Sequence, residues 1–269
     1  MTDDGEYELV PLPEPVRLRV PGRVVLRDNI FTTVDAIAED IFAAALNTAS
    51  SRGVFHLGVS LTPVAEQVFR RLLIDHSMRA LPWNVTHVWL TDDAPGQDGE
   101  EAPSAGFAEF LRDHAAVPPE QVHAPQLGLA DGAAEAYAAR MASFLKGGET
   151  AGGFDFALLT VNGQGVVGVG EPAEPHTGLT HRVRKGDLAW TSVHAPVFLA
   201  TSRVGLVVPD ADGLSWVKRL PGAPRAERSL HVRPASVDGL TWYVNIESGE
   251  TDGRPGRGSN RPGKEENRS

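Results

Sequence analysis

Short apolar runs alternate with longer amphipathic segments along most of this chain, and that alternation restricts the fold more than any other feature. The apolar runs are bounded by turn residues, which is typical of strands. Strands are predicted at residues 16–20, 23–27, 53–60, 86–93, 155–161, 196–202 and 240–245. Helices are predicted at residues 32–50, 62–76, 104–115, 132–145 and 211–220. Such an alternation predicts an α/β fold with a mostly parallel sheet and helices on both faces.

The starts of the first two helices carry local signals. Thr33 is predicted to cap the first helix, in which Val34, Ile37 and Ile41 share one face. Pro63 suits the first turn of the second helix. One domain is predicted over residues 16–248. Residues 1–15 and 249–269 are predicted to be disordered, because they lack the apolar periodicity needed to bury a core.

Composition excludes several classes of function. The net charge of −10 argues against binding to nucleic acid or to an anionic membrane, both of which require clustered Lys and Arg. The chain has no cysteine and none of its histidines has metal-ligand spacing, so no metal is expected. The glycine-rich turn at 162–170 lies too late in the chain for a dinucleotide site, so no cofactor is expected either. The N-terminal residues show neither a signal peptide nor a membrane segment, which predicts a cytoplasmic protein.

Three loops follow strong predicted strands and are candidates for a ligand site. Their residues are 58–63 (GVSLTP), 91–99 (TDDAPGQDG) and 162–172 (NGQGVVGVGEP). Ligands of open α/β sheets bind outside the carboxyl ends of the strands. If the three strands are neighbours, we expect these loops to form one cleft.

The same loops, in this order, resemble those of the 6-phosphogluconolactonase and glucosamine-6-phosphate deaminase superfamily. GVSLTP is similar to the family's phosphate-binding SGGSTP turn, which implies phosphate-binding roles for Ser60 and Thr62. LTDDA is similar to the acidic GDER or MDEY motif, which implies that Asp92 is an acid/base group and that Asp93 contacts the substrate. The segments DHAAVPPEQVHAPQ and RSLHVRPASVDGLTWYVN also resemble family segments.

The third loop can be aligned with the family in two ways. FDFALLTVNGQG resembles FDLVLLGMGEDGH, which places Gly163 and Gly165 in the substrate turn and Val166 where the family has its catalytic His. In that alignment GEP resembles the deaminase NEP, which implies a catalytic role for Glu171. Alternatively, GVGEPAEPHTGL places His176 at the catalytic position, but this requires an insertion after the strand. LTHRV resembles an anion-binding stretch and implies that Arg182 binds the substrate.

The resemblance implies a sugar phosphate as the small-molecule ligand. The favoured hypothesis is hydrolysis of 6-phosphogluconolactone, as in the pentose phosphate pathway, by an altered site; deamination of an aminosugar phosphate is the second choice. A non-catalytic protein that binds a sugar phosphate or a protein partner is the alternative. It is motivated by Val59, Leu61, Ala94 and Val166, which depart from the family motifs. An enzyme that uses His176 with shifted chemistry is the third hypothesis.

Overall fold

The computed structural model describes residues 18–93, 103–125, 132–145, 152–167, 178–185, 188–220 and 236–247. The helices are α1 (Ile30–Arg52), α2 (Pro63–Ile74), α3 (Pro103–Ala115), α4 (Ala133–Leu145), α5 (Ala195–Leu199) and α6 (Ala211–Arg219). The strands are β1 (Arg23–Arg27), β2 (Phe55–Val59), β3 (Thr86–Leu90), β4 (Asp92–Asp93), β5 (Val122–His123), β6 (Phe156–Asn162), β7 (Gly165–Val166), β8 (Thr180–Lys185), β9 (Leu188–Val193), β10 (Arg203–Val208) and β11 (Leu240–Asn245). The predicted disordered ends, residues 1–15 and 249–269, lie outside the described residues.

The main sheet has the strand order β1-β11-β10-β6-β2-β3-β5, and every pair along this path is parallel. The short strand β7 folds back antiparallel onto β6. The predicted α/β fold with a mostly parallel sheet is therefore confirmed. A separate sheet, β4-β9-β8, is antiparallel and was not predicted.

Apolar side chains cover both faces of the main sheet, because residues along a strand alternate between the faces. On one face, Ile37 of α1 and Phe69 of α2 belong to a cluster with Leu57 and Leu158. On the other face, Met141, Phe198 and Val217, from α4, α5 and α6, belong to a cluster with Leu159 and Val161. Helices on both faces confirm that part of the prediction. Within the described ranges, no helix is both long enough and apolar enough to cross a membrane.

Helix α1 begins earlier than predicted. Asn29 is its N-cap, and the Asn29 side chain accepts a hydrogen bond from Thr32 N. Thr33 is buried in the first turn, where its hydroxyl donates to the Asn29 carbonyl at 2.8 Å. The predicted Thr33 cap is therefore wrong, because an Asn four residues earlier already provides the acceptor that the helix start requires.

The predicted strand at 196–202 is also wrong. These residues form most of the short helix α5 and the turn after it, and the strand β10 follows at Arg203–Val208. Pro196 lies in the first turn of α5, and Thr201 Oγ1 donates to Val197 O at 2.8 Å. A short apolar run fits a buried helical turn as well as a strand, so periodicity could not separate the two.

Residues 18–20 of the strand predicted at 16–20 have no regular secondary structure, and residues 16 and 17 lie outside the described residues. Pro21 and Gly22 follow directly, and Gly22 has a φ of 91°. A proline lacks the N–H that a strand ladder requires, and a positive φ interrupts extended backbone. The sheet therefore begins at Arg23.

We expect Gly153→Ala to lower the free energy of unfolding by about 3 kcal/mol, because overpacking a filled site distorts the backbone. A Cβ at Gly153 would lie 2.2 Å from the backbone carbon and oxygen of Ala200. Gly106 in α3 is the matched control, since its Cβ would meet no atom within 4 Å. Gly106→Ala should stabilise the protein by about 0.5–1 kcal/mol. Urea denaturation of both variants tests this expectation, and equal effects would contradict it.

Candidate active site

The three candidate loops lie at one edge of the main sheet. β6, β2 and β3 are consecutive neighbours and run parallel, so their carboxyl ends lie side by side. The ladder also continues past the strand ends, where Ser60 N donates to Leu158 O at 3.1 Å and Thr91 N donates to Val59 O at 2.9 Å. The predicted convergence of the described parts of these loops is confirmed.

Thr62 and Ser60 occupy different environments in the first loop. Thr62 is the N-cap of α2, and its hydroxyl shares a 2.8 Å hydrogen bond with the hydroxyl of Thr160 on β6. Ser60 is completely buried, and its hydroxyl has no hydrogen-bond partner among the described residues. Val59 and Leu61, which depart from the SGGSTP motif, pack in the first apolar cluster.

Thr91 is a second buried hydroxyl that the sequence analysis missed. It directly follows β3 and is completely buried, and its Oγ1 has no hydrogen-bond partner within the described part of the chain. Ser60 and Thr91 follow Val59 and Leu90, which are register partners, so the two hydroxyls occupy equivalent positions on neighbouring strands. An unpaired buried polar group costs about 1–3 kcal/mol. The presence of these two hydroxyls is therefore not explained by a contribution to stability.

Asp92 stands where the main sheet meets the small antiparallel sheet. It pairs with Ser192 of β9, and Asp93 pairs with Thr191. Val193 N donates to Thr91 O at 2.8 Å, which fixes the backbone on the other side of Asp92. The Asp92 side chain is half-buried. A rigid backbone and a partly exposed carboxylate are suitable for an acid/base group.

The glycine turn is a tight hairpin between β6 and β7. Asn162 Oδ1 accepts hydrogen bonds from Gln164 N at 2.8 Å and Gly165 N at 3.1 Å. A Cβ at Gly163 would lie 3.3 Å from Asp212 Cβ, and Gly165 has a φ of 138° beside Trp216. Val166 pairs with Val161 and packs against the second apolar cluster. A packed aliphatic side chain therefore occupies the position that the first of the two alignments assigns to the family His.

The remaining predicted site residues are divided between described and undescribed segments. Arg182 lies on β8, opposite Thr191, and is exposed. Glu171 and His176 lie outside the described residues, and so does Ala94. The structure therefore brings Ser60, Thr62 and Asp92 to one edge, while the two other predicted catalytic positions stay predictions.

A histidine cluster lies farther back along the same strands, away from the candidate site. Its members are His56, His87 and His123. His87 Nδ1 and His123 Nε2 share a 2.9 Å hydrogen bond, and Trp89 Nε1 donates to His56 Nδ1 at 3.1 Å. The His123 ring stacks on Trp89 with centroids 3.7 Å apart. The described residues contain no group of three or more His, Asp or Glu side chains arranged to hold a metal ion.

Burial is the main reason that these imidazoles are neutral. It lowers the pKa of His56 to about 4, with smaller contributions from the nearby charges of His87 and Arg52. It lowers the pKa of His123 to about 3, assisted by His87, Arg140 and His56. Burial also lowers the pKa of His87. The cluster is therefore uncharged at neutral pH.

Comparison with known proteins identifies a family whose sequence model matches this chain. The family model described as glucosamine-6-phosphate isomerases/6-phosphogluconolactonase matches residues 30–165. The rabbit (Oryctolagus cuniculus) GDH/6PGL endoplasmic bifunctional protein is 31% identical over an alignment of 243 residues that covers 80% of this chain and 28% of the relative. The chain thus spans little more than a quarter of that protein's length.

Solved structures share the fold at low sequence identity. 6-Phosphogluconolactonase from Thermotoga maritima is 17% identical with a TM-score of 0.69, covering 83% of this chain and 99% of the other. The Leishmania guyanensis 6-phosphogluconolactonase is 15% identical with a TM-score of 0.67, at 87% and 100% coverage. A monomeric glucosamine-6-phosphate deaminase is 16% identical with a TM-score of 0.65, at 84% and 98% coverage.

Proposed function

Because this chain belongs to the glucosamine-6-phosphate isomerase/6-phosphogluconolactonase family, we propose that it binds a sugar phosphate at the carboxyl edge of its main sheet and hydrolyses 6-phosphogluconolactone there. The observation that carries the proposal is the position of Asp92. This half-buried carboxylate follows β3 and stands beside the loop of Ser60 and Thr62, which follows the neighbouring strand β2. A base and a phosphate-binding loop that follow adjacent strands are close enough to contact the same small substrate.

The start of α2 supplies the phosphate site in this proposal. Pro63 has no N–H, and Ala65 N and Glu66 N both donate to Thr62. The Val64 N–H is then the first-turn donor that faces the helix start, where the helix dipole favours an anion. The hydroxyls of Ser60 and Thr62 are the proposed side-chain donors, and Arg182 is the proposed cation.

Hydrolysis then needs one proton acceptor and one nucleophilic water. Asp92 takes a proton from the water, whose oxygen attacks the lactone carbonyl carbon. The bond from that carbon to the ring oxygen breaks, and the ring oxygen takes the proton that Asp92 accepted from the water, which gives the open-chain acid and restores the carboxylate. Asp93 is the proposed substrate contact beside the base, and the backbone of Gly163 and Gly165 borders the substrate. Glu171 and His176 are the proposed partners of Asp92 in proton transfer.

A non-catalytic sugar-phosphate-binding protein, including one that serves as a subunit for a protein partner, is the second candidate function. The specific observation in its favour is Val166, an aliphatic side chain packed against the second apolar cluster at the position aligned with the family's catalytic His. Valine transfers no proton. In this alternative Ser60, Thr62 and Arg182 keep their proposed binding roles, and Asp92 binds a sugar hydroxyl.

A thermal-shift experiment tests the binding that both candidate functions share. At about 100 times its Kd, 6-phosphogluconate should stabilise the protein by about 2.7 kcal/mol. For a chain of this size, this corresponds to a rise of about 5–10 °C in Tm. Gluconate, which lacks the phosphate, should give no comparable shift. Equal shifts from both compounds, or no shift at millimolar 6-phosphogluconate, would contradict a phosphate site.

Two hydroxyl deletions test whether the Ser60 hydroxyl contacts the phosphate and whether the neighbouring Thr91 hydroxyl does not. Ser60→Ala and Thr91→Val each remove a buried hydroxyl that has no partner among the described residues. Without ligand, both variants should therefore be at least as stable as the wild type, by up to about 1 kcal/mol. Only Ser60→Ala should reduce the shift caused by 6-phosphogluconate. A full shift in Ser60→Ala would exclude its hydroxyl from the site.

A further inference from the structure

One polar side chain interrupts the apolar face that β6 presents to helix α2. Phe156 and Leu158 point to that face and belong to the first apolar cluster, together with buried residues of α2. Thr160 is the next residue on the same face, because side chains alternate along a strand. Thr160 is only 6% exposed. The family segment FDLVLLGMGEDGH has glycine at this position, so the family segment lacks the hydroxyl that this chain carries.

The Thr160 hydroxyl contacts the start of α2. Thr160 Oγ1 lies 2.8 Å from Thr62 Oγ1. Thr62 is the N-cap of α2, and its Oγ1 also accepts a hydrogen bond from Ala65 N at 3.4 Å. Val167 N donates to Thr160 O at 2.7 Å, which fixes the backbone of β6 beside the glycine turn. The pair of hydroxyls therefore joins the β6–β7 hairpin to the loop that contains Ser60 and Thr62.

Burial decides which of the two hydroxyls donates. A threonine hydroxyl has one proton to donate and two lone pairs that accept. Thr62 is the one hydrogen-bond partner of the Thr160 side chain within the described part of the chain. If Thr62 were the donor, the proton of the buried Thr160 hydroxyl would have no acceptor, which is unfavourable. Thr160 is therefore the donor and Thr62 the acceptor.

This direction leaves the Thr62 proton available to a ligand. The two lone pairs of Thr62 Oγ1 accept from Thr160 and from Ala65 N. Thr62 is half-buried, whereas Thr160 is buried, so the Thr62 hydroxyl is the one that reaches a ligand at the start of α2. A phosphate oxygen, which only accepts hydrogen bonds, fits this arrangement. Because successive hydrogen bonds polarise one another, the bond from Thr160 makes Thr62 a stronger donor.

We propose that Thr160 positions Thr62 as a hydrogen-bond donor to the phosphate of a bound sugar phosphate. The Thr160 hydroxyl donates to Thr62, and the Thr62 hydroxyl donates to a phosphate oxygen. Thr160 is a positioning residue, since it acts through Thr62 and does not contact the ligand. The inference rests on the proposed function in one respect, which is that the phosphate binds at the start of α2.

Isothermal titration calorimetry with 6-phosphogluconate tests the role of the Thr160 hydroxyl. Thr160→Val keeps the shape of the side chain and removes the hydroxyl. It should raise the Kd about three- to tenfold, as expected for the loss of one supporting hydrogen bond. Thr160→Ser keeps the hydroxyl and should bind within about twofold of the wild type. Wild-type affinity in Thr160→Val would overturn the inference.

Thr86→Val is the matched control. Thr86 is completely buried at the amino end of β3, and its hydroxyl donates to Pro82 O at 2.9 Å. The substitution removes a hydrogen bond of a buried threonine at the opposite edge of the sheet. It should lower Tm and leave the Kd for 6-phosphogluconate unchanged. A rise in Kd as large as that of Thr160→Val would overturn the inference, because general destabilisation would then explain both results.

A double-mutant cycle tests whether Thr160 acts through Thr62. In a Thr62→Val background, Thr160→Val should change the Kd by less than about twofold, because the donor that Thr160 supports is already absent. Equal effects of Thr160→Val in both backgrounds would overturn the inference and leave phosphate binding intact. A wild type that binds no 6-phosphogluconate would contradict the proposed function and the inference together. The Tm of each variant shows that folded proteins are compared.

Discussion

Asp92→Asn is expected to lower kcat for 6-phosphogluconolactone hydrolysis by about 10²–10⁴-fold, the usual contribution of general base catalysis. The amide has nearly the same shape as the carboxylate but cannot accept a proton at neutral pH. KM should change by less than about threefold, because the proposed phosphate contacts are not altered. Steady-state kinetics, corrected for spontaneous opening of the lactone, measure both constants.

Asp238→Asn is the matched control for that substitution. Asp238 is exposed and lies in the turn before β11, so it is at the amino edge of the sheet, opposite the candidate site. The kcat of the Asp238→Asn variant should equal that of the wild type within about twofold. If Asp92→Asn also keeps full activity, the base is another residue, and Glu171 and His176 become the positions to replace.

Acid is expected to destabilise the protein through the histidine cluster. The folded pKa values of about 4 for His56 and about 3 for His123 lie below the ordinary value of 6.5. As the pH falls below 6.5, the unfolded chain therefore binds protons that the folded protein excludes. The free energy of unfolding should fall by about 1.4 kcal/mol per pH unit for each excluded proton. With two such histidines, the slope approaches about 2.7 kcal/mol per unit between roughly pH 6 and pH 4.

The groups around the cluster give the experiment its controls. Asp155 accepts a hydrogen bond from His56 N at 2.7 Å and pairs with Arg52 at 2.5 Å, and Arg140 contributes positive charge near His123. His123→Gln should reduce the slope by the equivalent of one proton, whatever its effect on absolute stability. His114→Gln, on the exposed surface of α3, should leave the slope unchanged. Urea denaturation at several pH values measures these slopes, and a wild-type curve that is flat from pH 7 to pH 4 would refute the expectation.

Apolar strands explain why much of the fold was predictable from the sequence. β2, β3, β6 and β11 are almost entirely buried, so each stands out as a short, mostly apolar segment. Loops after parallel strands lie at one edge whenever the strands are neighbours, so the sequence alone predicts that Ser60 and Asp92 lie together.

The small sheet was not predictable in the same way. β8 (THRVRK) is mostly polar, and it becomes a strand through pairing with β9 rather than through its own apolar pattern. The register of β9 with β8 and β4, which aligns His181, Ser192 and Asp92, does not follow from the side-chain pattern of these strands. The histidine cluster was missed for a similar reason, because His56, His87 and His123 meet only when β2, β3 and β5 pair.

Hydrolysis of 6-phosphogluconolactone by the purified wild-type protein is the decisive test of the proposed lactonase function. The rate is measured against spontaneous opening of the lactone in the same buffer, with Asp92→Asn protein as a matched blank. We expect turnover by the wild type that clearly exceeds both references. A wild-type rate equal to the spontaneous rate would contradict the proposed hydrolysis and leave the non-catalytic sugar-phosphate-binding protein as the function to pursue.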